Sequence, residues 1–199
     1  TLRGFHNGPP GHLDASPDGS RLAALTEAGR PVLIDVATAA RRDLPDAGFD
    51  AVRFAPGRPW LALLGTASRI VDLATGRVVR ALSRPAERLF AGAFSPDGRR
   101  LAAAALDGTV RMIDAERGVD VWTLRVPARM PLVVAFSPEG SRVAVASAID
   151  PTVFVLDAKN GDLLASLAGH VGNVNDVSFS PRGDRLATAG SDGTVKIWD

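Results

Sequence analysis

The chain has 199 residues, of which 46% are hydrophobic and 23% are charged, a balance that favours a folded domain over a disordered chain. Its net charge of +1 provides no basic excess for nucleic acid, and no apolar run approaches the roughly 20 residues that span a bilayer. The absence of cysteine excludes disulfides, thiol catalysis and cysteine-ligated metal sites. The composition therefore predicts neither a nucleic-acid partner nor a membrane partner.

A repeat of about forty residues runs along the chain. Its first marker is a proline-containing turn motif, with the proline at positions 17, 56, 96, 138 and 181. Its second marker is a large aliphatic residue or tryptophan followed by an aspartate, at positions 35, 72, 114, 157 and 199. Because the two markers are independent and keep the same spacing, the repeat reflects the architecture of the protein.

Each period predicts short strands between tight turns. In the last period, residues 175–179, 185–189 and 194–198 have the alternation and the β-branched content of strands. Proline and glycine between them suit β-turns, because proline presets φ and glycine tolerates positive φ. In the preceding period, residues 162–167 add a fourth strand after the aspartate. The pattern predicts an all-β protein with four antiparallel strands in each unit and no helix.

The segment from Leu167 to Asp199 resembles a WD repeat, because it contains Gly169-His170, Asp192-Gly193 and Trp198-Asp199. Weaker copies give five units, at approximately 2–35, 45–72, 83–114, 125–157 and 167–199. The resemblance implies a β-propeller of four-stranded antiparallel blades around a central channel. Because five blades are fewer than this family usually has, we expect residues 1–199 to form a single partial domain, an open arc of a larger propeller.

The same resemblance implies a structural hydrogen-bond network. In WD repeats the histidine of the Gly-His pair, a Ser or Thr, the turn aspartate and the tryptophan share hydrogen bonds, and these roles correspond to His170, Thr188, Asp192 and Trp198. The residue types supply matching donors and acceptors. A catalytic triad on Thr188 uses the same residue types, but the pattern favours a network that stabilises the blade.

The sequence predicts no catalytic, cofactor or metal site. There are only three histidines, and His6 and His12 flank a Gly-Pro-Pro-Gly stretch without a carboxylate at a recognisable ligand spacing. The glycines belong to turns, and no helix follows them to bind a phosphate.

The loops that lead into the first strand of each unit are the candidate partner-binding face. They vary most between units, and arginines there suit bidentate pairing with acidic peptides. The candidate residues are Arg3, Arg84, Arg88, Arg125, Arg129 and Asn173. The alternative is that these residues form ordinary solvated loop surface.

Two classes of function remain open on the sequence. The leading hypothesis is a non-catalytic protein-interaction or scaffold module of a bacterial, cytoplasmic multidomain protein, with a protein or peptide as its partner. The competing hypothesis is a propeller enzyme, similar to a lactonase or a quinoprotein dehydrogenase, with a site in the central channel. Such an enzyme needs metal ligands or cofactor contacts that the sequence does not show.

The last predicted strand raises a question of pairing, because no segment follows it. We expect the edge of residues 194–198 and the inner face of the first blade to be uncovered. An exposed edge beside apolar side chains invites pairing with another chain, so the sequence also predicts self-association through this open blade edge.

Overall fold

The computed structural model describes residues 13–82, 84, 87–127, 131–147 and 149–199. Within these ranges the regular secondary structure consists of nineteen β-strands in five antiparallel sheets, and it includes no helix. In this part of the chain there is accordingly no helix long and apolar enough to cross a membrane. The predicted all-β class is confirmed.

The strands form sheets in chain order, and each sheet is one blade. The first sheet contains β1 (Leu13–Ala15), β2 (Arg21–Leu25), β3 (Pro31–Asp35) and β4 (Arg41–Asp43). The second contains β5 (Phe49–Phe54), β6 (Trp60–Gly65), β7 (Arg69–Asp72) and β8 (Val78–Ala81). The third contains β9 (Leu89–Phe94), β10 (Arg100–Ala105), β11 (Thr109–Asp114) and β12 (Val119–Arg125). The fourth contains β13 (Pro131–Phe136), β14 (Arg142–Ser147), β15 (Val153–Asp157) and β16 (Leu163–Leu167), and the fifth contains β17 (Val174–Phe179), β18 (Leu186–Gly190) and β19 (Val195–Trp198).

The turn between the first two strands of a sheet is built by its own side chains. After β9, the Ser95 hydroxyl donates to Asp97 at 2.6 Å and accepts the backbone N–H of Arg100 at 2.9 Å. Gly98 follows with a φ of 65°, a left-handed conformation that glycine adopts without steric cost. The Ser-Pro-Asp-Gly sequence therefore closes this turn locally, as its composition predicts.

The five sheets stand side by side in an arc. The first strands of neighbouring sheets contact each other in chain order, so β1, β5, β9, β13 and β17 line the inner side. An apolar cluster lies between each pair of neighbouring sheets. In the third sheet, Ala102 and Met112 face the fourth sheet, whereas Ala103 and Ile113 face the second. The arc is not closed, as the sequence predicts.

The two ends of the arc differ. The fifth sheet has three strands, and the outer strand β19 exposes 70% of Val195 and 60% of Ile197. In the first sheet, the face turned away from the second sheet is instead buried, at Ala24, Val32 and Ile34. The expectation of an uncovered first blade is therefore wrong, because the repeat pattern does not record what surrounds the first sheet.

Candidate functional site

The structure brings His170, Thr188, Asp192 and Trp198 together in the fifth sheet. His170 precedes β17, Thr188 lies on β18, Trp198 lies on β19 and Asp192 lies in the turn between these two strands. The His170 Nε2 atom is 2.7 Å from the Thr188 hydroxyl, and its Nδ1 atom is 3.0 Å from the Asp192 carboxylate. The Trp198 indole N–H donates to the Thr188 hydroxyl at 3.0 Å. The four side chains therefore form one continuous chain of hydrogen bonds.

The hydrogen-bond partners of the imidazole are all satisfied when its proton is assigned to Nδ1. Because the Thr188 hydroxyl accepts from Trp198, its own hydrogen is free to be donated to His170 Nε2. The imidazole proton then lies on Nδ1 and is donated to Asp192. This assignment satisfies every polar atom of the buried pair His170 and Thr188. The buried Thr188 hydroxyl is thus fully engaged in hydrogen bonds and is not presented to a substrate.

Asp192 holds the segment before β17 as well as the histidine. Its carboxylate accepts the backbone N–H of Val171 at 2.9 Å and the hydroxyl of Thr194 at 2.7 Å. The Val171 N–H, followed by the Thr194 hydroxyl, holds the pKa of Asp192 well below its usual range. Gly190 leaves room for this arrangement, because a Cβ there would lie 2.3 Å from His170 Nδ1. The network thus connects the loop before β17, β18 and β19.

A second polar cluster, which the sequence did not predict, lies in the third sheet. Arg111 on β11 is only 3% exposed, and its guanidinium bonds Glu87 at 2.5 Å and Asp120 at 2.7 Å. It also donates to the carbonyl of Leu82 at 2.9 Å. Arg84 pairs with the same Asp120 carboxylate. The sequence carries no signal for this cluster, because an arginine that alternates with apolar residues along a strand predicts a solvent-facing side chain.

The loop residues predicted to bind a partner differ in their contacts. Arg88 forms a bidentate pair with Asp50 of the preceding sheet, with distances of 2.7 and 2.6 Å, and Arg84 belongs to the Arg111 cluster. Arg125 is exposed and forms no ion pair with another described residue. The backbone carbonyl of Asn173 accepts the N–H of Ser191 at 2.9 Å. Arg3 and Arg129 lie outside the described residues, as do His6 and His12.

Comparison with protein families gives a match in two parts of the chain. The family model of the WD domain, G-beta repeat (WD40), matches residues 76–114 and 161–199. These two segments are WD40 repeats by that match. The predicted resemblance is therefore confirmed, and WD40 repeats generally mediate protein–protein interaction. Comparison with curated proteins found no significant match.

The matched WD repeats are offset from the sheets by one strand. The first match contains β8 to β11 and the second contains β16 to β19, so each repeat joins the last strand of one blade to the first three strands of the next. The first matched repeat contains Arg111 and Glu87 but not Asp120, which lies on β12, and the second contains the whole His170 network. Among the described residues of these WD repeats and their neighbours, no group of three His, Cys, Asp or Glu side chains is placed to hold a metal ion.

Proposed function

We propose that this chain is a non-catalytic protein-interaction module that engages another protein through the open side of its fifth sheet. The exposure of Val195 and Ile197 on β19 carries the proposal. The residues at the same positions of the fourth sheet, Val153 and Val155, are buried against the fifth sheet. An apolar sheet face that is covered in one blade and open in the next is suited to bind protein.

The edge of β19 suits the addition of a strand. In the other four sheets, a fourth strand pairs antiparallel with the third and satisfies its outward N–H and C=O groups. On β19 these groups face outward without a strand partner among the described residues. An extended segment of a partner protein can pair with this edge and cover Ile197 at the same time. The partner supplies one strand, and self-association is the form of this interaction that needs no other protein.

The general role of WD40 repeats in protein binding supports the proposal. We extend it to a scaffold within a bacterial multidomain protein, and the arginine- and alanine-rich composition favours the bacterial origin. We also include the loop face, defined by Arg84, Arg88, Arg125 and Asn173, as a second binding surface. Arg125 is its most available cation, because Arg84 and Arg88 already pair with aspartates of the chain.

Sedimentation velocity over a range of protein concentrations tests the role of the fifth sheet. We expect the wild-type chain to self-associate and the double variant Val195→Lys/Ile197→Lys to sediment as a monomer, because lysine blocks edge pairing. The matched control is Val119→Lys/Val121→Lys, which changes two exposed apolar residues on β12. Equal association of wild type and both double variants would contradict the proposal.

A further inference from the structure

A cleft separates the first and second sheets on the side of the proline-containing turns. It lies between the turn after β1, residues 16–20, and the turn after β5, residues 55–59, and its volume is about 580 Å³. A smaller cavity of about 320 Å³ adjoins it and shares Arg21, Leu73 and Ala74 with it. We call the two together the first cleft. Its size falls within the roughly 300–1,000 Å³ typical of sites for small ligands and short peptide segments.

The first cleft lies beside a turn whose glycine, Gly57, stands one position earlier than the glycine of the later turns. In the later sheets, Gly98 and Gly183 approach the preceding turn so closely that a Cβ would lie 2.1 Å from the Pro56 carbonyl and 2.5 Å from a Glu139 oxygen, respectively. In the second sheet, Arg58 occupies the position of Gly98, since each donates its N–H to the carbonyl three residues earlier. The Arg58 side chain stacks on Trp60, 5.2 Å from the ring centre. The second turn therefore does not contact the first as closely as Gly98 and Gly183 contact the turns before them, and Gly57 has no neighbour within 4 Å of an added Cβ.

Arg21 is the cation of the first cleft whose hydrogen-bond donors are available to a ligand. Each later sheet except the second has an arginine at the same position, the residue paired with the closing aspartate of the third strand. Arg100 donates to the Ala158 carbonyl of the next sheet at 3.0 Å, and Arg142 donates to the Gly183 carbonyl at 2.5 Å. Arg21 is exposed, and its guanidinium makes no hydrogen bond or ion pair with another described residue. Its cross-strand partner Asp35 also lines the cleft and attracts it electrostatically, but that carboxylate accepts hydrogen bonds from Thr38 and forms no ion pair with Arg21.

The other charged groups of the first cleft are already engaged. Arg41 pairs with Asp43 at 2.7 Å, and Arg42 donates to the carbonyls of Leu73 and Ala74. Asp18 accepts hydrogen bonds from Ser16 and Ser20, of which the Ser16 hydroxyl contributes most, and they lower its pKa to about 2. With four arginines and two aspartates in its lining, the cleft has an excess of positive charge.

We infer that the first cleft binds an acidic peptide segment of a partner protein, with a carboxylate paired to Arg21 and an adjacent large apolar side chain against Phe54 and Leu73. A comparable arrangement of a carboxylate, an arginine and an aromatic ring occurs within this chain, between the fourth and fifth sheets. There Glu139 pairs with Arg142 at 3.2 Å, and Arg142 lies 5.6 Å from the centre of the Phe179 ring. Phe54 holds the place of Phe179 at the end of its strand. Asp18 holds the place of Glu139 but accepts hydrogen bonds from Ser16 and Ser20 and forms no ion pair with Arg21, so a partner carboxylate can make the pair with Arg21 that Glu139 makes with Arg142.

The cleft suits a carboxylate better than a phosphate. A phosphoserine carries a charge of about −1.5 to −2 and three strong acceptor oxygens, which call for a cluster of free donors. Arg21 is one free guanidinium, which matches the single charge and the two oxygens of a carboxylate. The Phe54 ring and Leu73 provide the apolar wall that selects a large side chain next to it.

This inference rests on the proposed interaction role but uses a surface separate from both β19 and the loop face.

Fluorescence anisotropy of a fluorescein-labelled Ser-Glu-Phe-Glu-Leu-Ser peptide tests it, with Ser-Gln-Phe-Gln-Leu-Ser and a phosphoserine version as probes of charge. We expect Arg21→Glu to weaken binding of the acidic peptide at least about tenfold, since it replaces attraction by repulsion. We expect Arg21→Lys to weaken it less, because lysine lacks the bidentate geometry.

Two charge-reversal variants at other surfaces serve as controls that show which surface binds the peptide. Arg182→Glu changes a highly exposed arginine in the turn of the fifth sheet, and Arg125→Glu changes the loop face; both should bind the peptide as wild type does. A loss with Arg125→Glu but not with Arg21→Glu would overturn the cleft inference while supporting the loop face. Equal binding of the glutamine peptide, or tighter binding of the phosphoserine peptide, would also overturn it. Because these variants leave β19 unchanged, none of the results bears on self-association.

Discussion

In the third and fifth sheets, different side chains anchor the loop that precedes the first strand of the sheet. In the fifth sheet, His170 before β17 bonds Thr188 on the second strand, which also bonds Trp198 on the third. In the third sheet, the carboxylate of Glu87 before β9 bonds the guanidinium of Arg111 on the third strand. Both networks fasten the loop that leads into a blade onto the strands of that blade.

The residues that differ between the third and fifth sheets fit the polar network that each sheet has. Ala103 and Ile113 occupy the positions of Thr188 and Trp198, so the third sheet has no acceptor or indole for a histidine network. Ala105 occupies the position of Gly190, whose missing Cβ leaves room for the His170 ring. The comparison teaches that the anchoring of the loop persists between these blades, whereas the residues that perform it change as a set.

Removal of Arg111 should break the third sheet most severely. The variant Arg111→Met leaves Glu87 and Asp120 without their buried cation, so we expect the free energy of unfolding to fall by about 3–5 kcal/mol in urea titrations. The control Arg99→Ala removes an exposed arginine and should change stability by less than about 0.5 kcal/mol. A similar small loss for both variants would show that the cluster does not anchor the loop.

A methyl group added at Gly190 should break the fifth sheet. Gly190→Ala places a Cβ against the His170 ring, and we expect a loss of about 1–3 kcal/mol because the packed network must shift. The reciprocal change Ala105→Gly meets no histidine in the third sheet and should cost about 0.5–1 kcal/mol from backbone entropy alone. The comparison of the two sheets is wrong if Gly190→Ala proves the milder change in urea titrations.

Removal of the shared hydroxyl should have a smaller effect. Thr188→Val keeps the shape of the side chain but leaves Trp198 Nε1 and His170 Nε2 without their partner, so we expect a loss of about 1–2 kcal/mol. The control Ser178→Ala removes an exposed hydroxyl on β17 and should leave the urea midpoint unchanged. A neutral Thr188→Val would mean that the network adds nothing to the packing of the blade.

The pH dependence of stability should distinguish Asp192 from a surface carboxylate. The pKa of Asp192 is lowered in the folded chain, first by the Val171 N–H. The ionised carboxylate therefore stabilises the fold at pH values above its unfolded pKa of about 4. This contribution is lost as the pH falls from the unfolded pKa through the folded pKa. Between about pH 6 and pH 3, wild type should therefore lose more stability than Asp192→Asn. Urea titrations at both pH values measure this difference, and parallel losses would contradict the assignment.

The two networks should act independently, since they lie in sheets separated by the fourth. For the double variant Arg111→Met/His170→Ala, the losses in the free energy of unfolding should add within about 0.5 kcal/mol. A larger coupling energy in this double-mutant cycle would mean that the arc transmits strain between blades.

Part of the candidate site was accessible from sequence because its signals are local. His170, Thr188, Asp192 and Trp198 occur at the positions of a repeat motif, and the structure places them within hydrogen-bond distance. The Arg111 cluster was not found, because Glu87 and Asp120 meet Arg111 only when β11, β12 and the preceding loop fold together. No repeat marker accompanies these three residues.

The loop arginines also show that a sequence pattern does not reveal pairs between distant parts of the chain. Their position in variable loops predicts that Arg84 and Arg88 bind a partner protein. In the structure, Arg84 pairs with Asp120 and Arg88 pairs with Asp50 of the same chain. Asp50 lies 38 residues before Arg88, in the preceding blade, and only the stacking of the blades brings the two together. A long-range ion pair between exposed and buried groups leaves no periodic signal in a sequence.

The sequence alone determined that the protein is built from repeated antiparallel strands, because strand alternation and turn chemistry operate over a few neighbouring residues. The tertiary structure decided how the blades meet. The exposure of Val195 on β19, the burial of Val32 in the first sheet and the first cleft beside Arg58 depend on contacts across sheets that lie about forty residues apart in the chain. Such contacts depend on the volume and charge of side chains in two blades at once, and close packing makes them sensitive to a single residue such as a glycine in a turn.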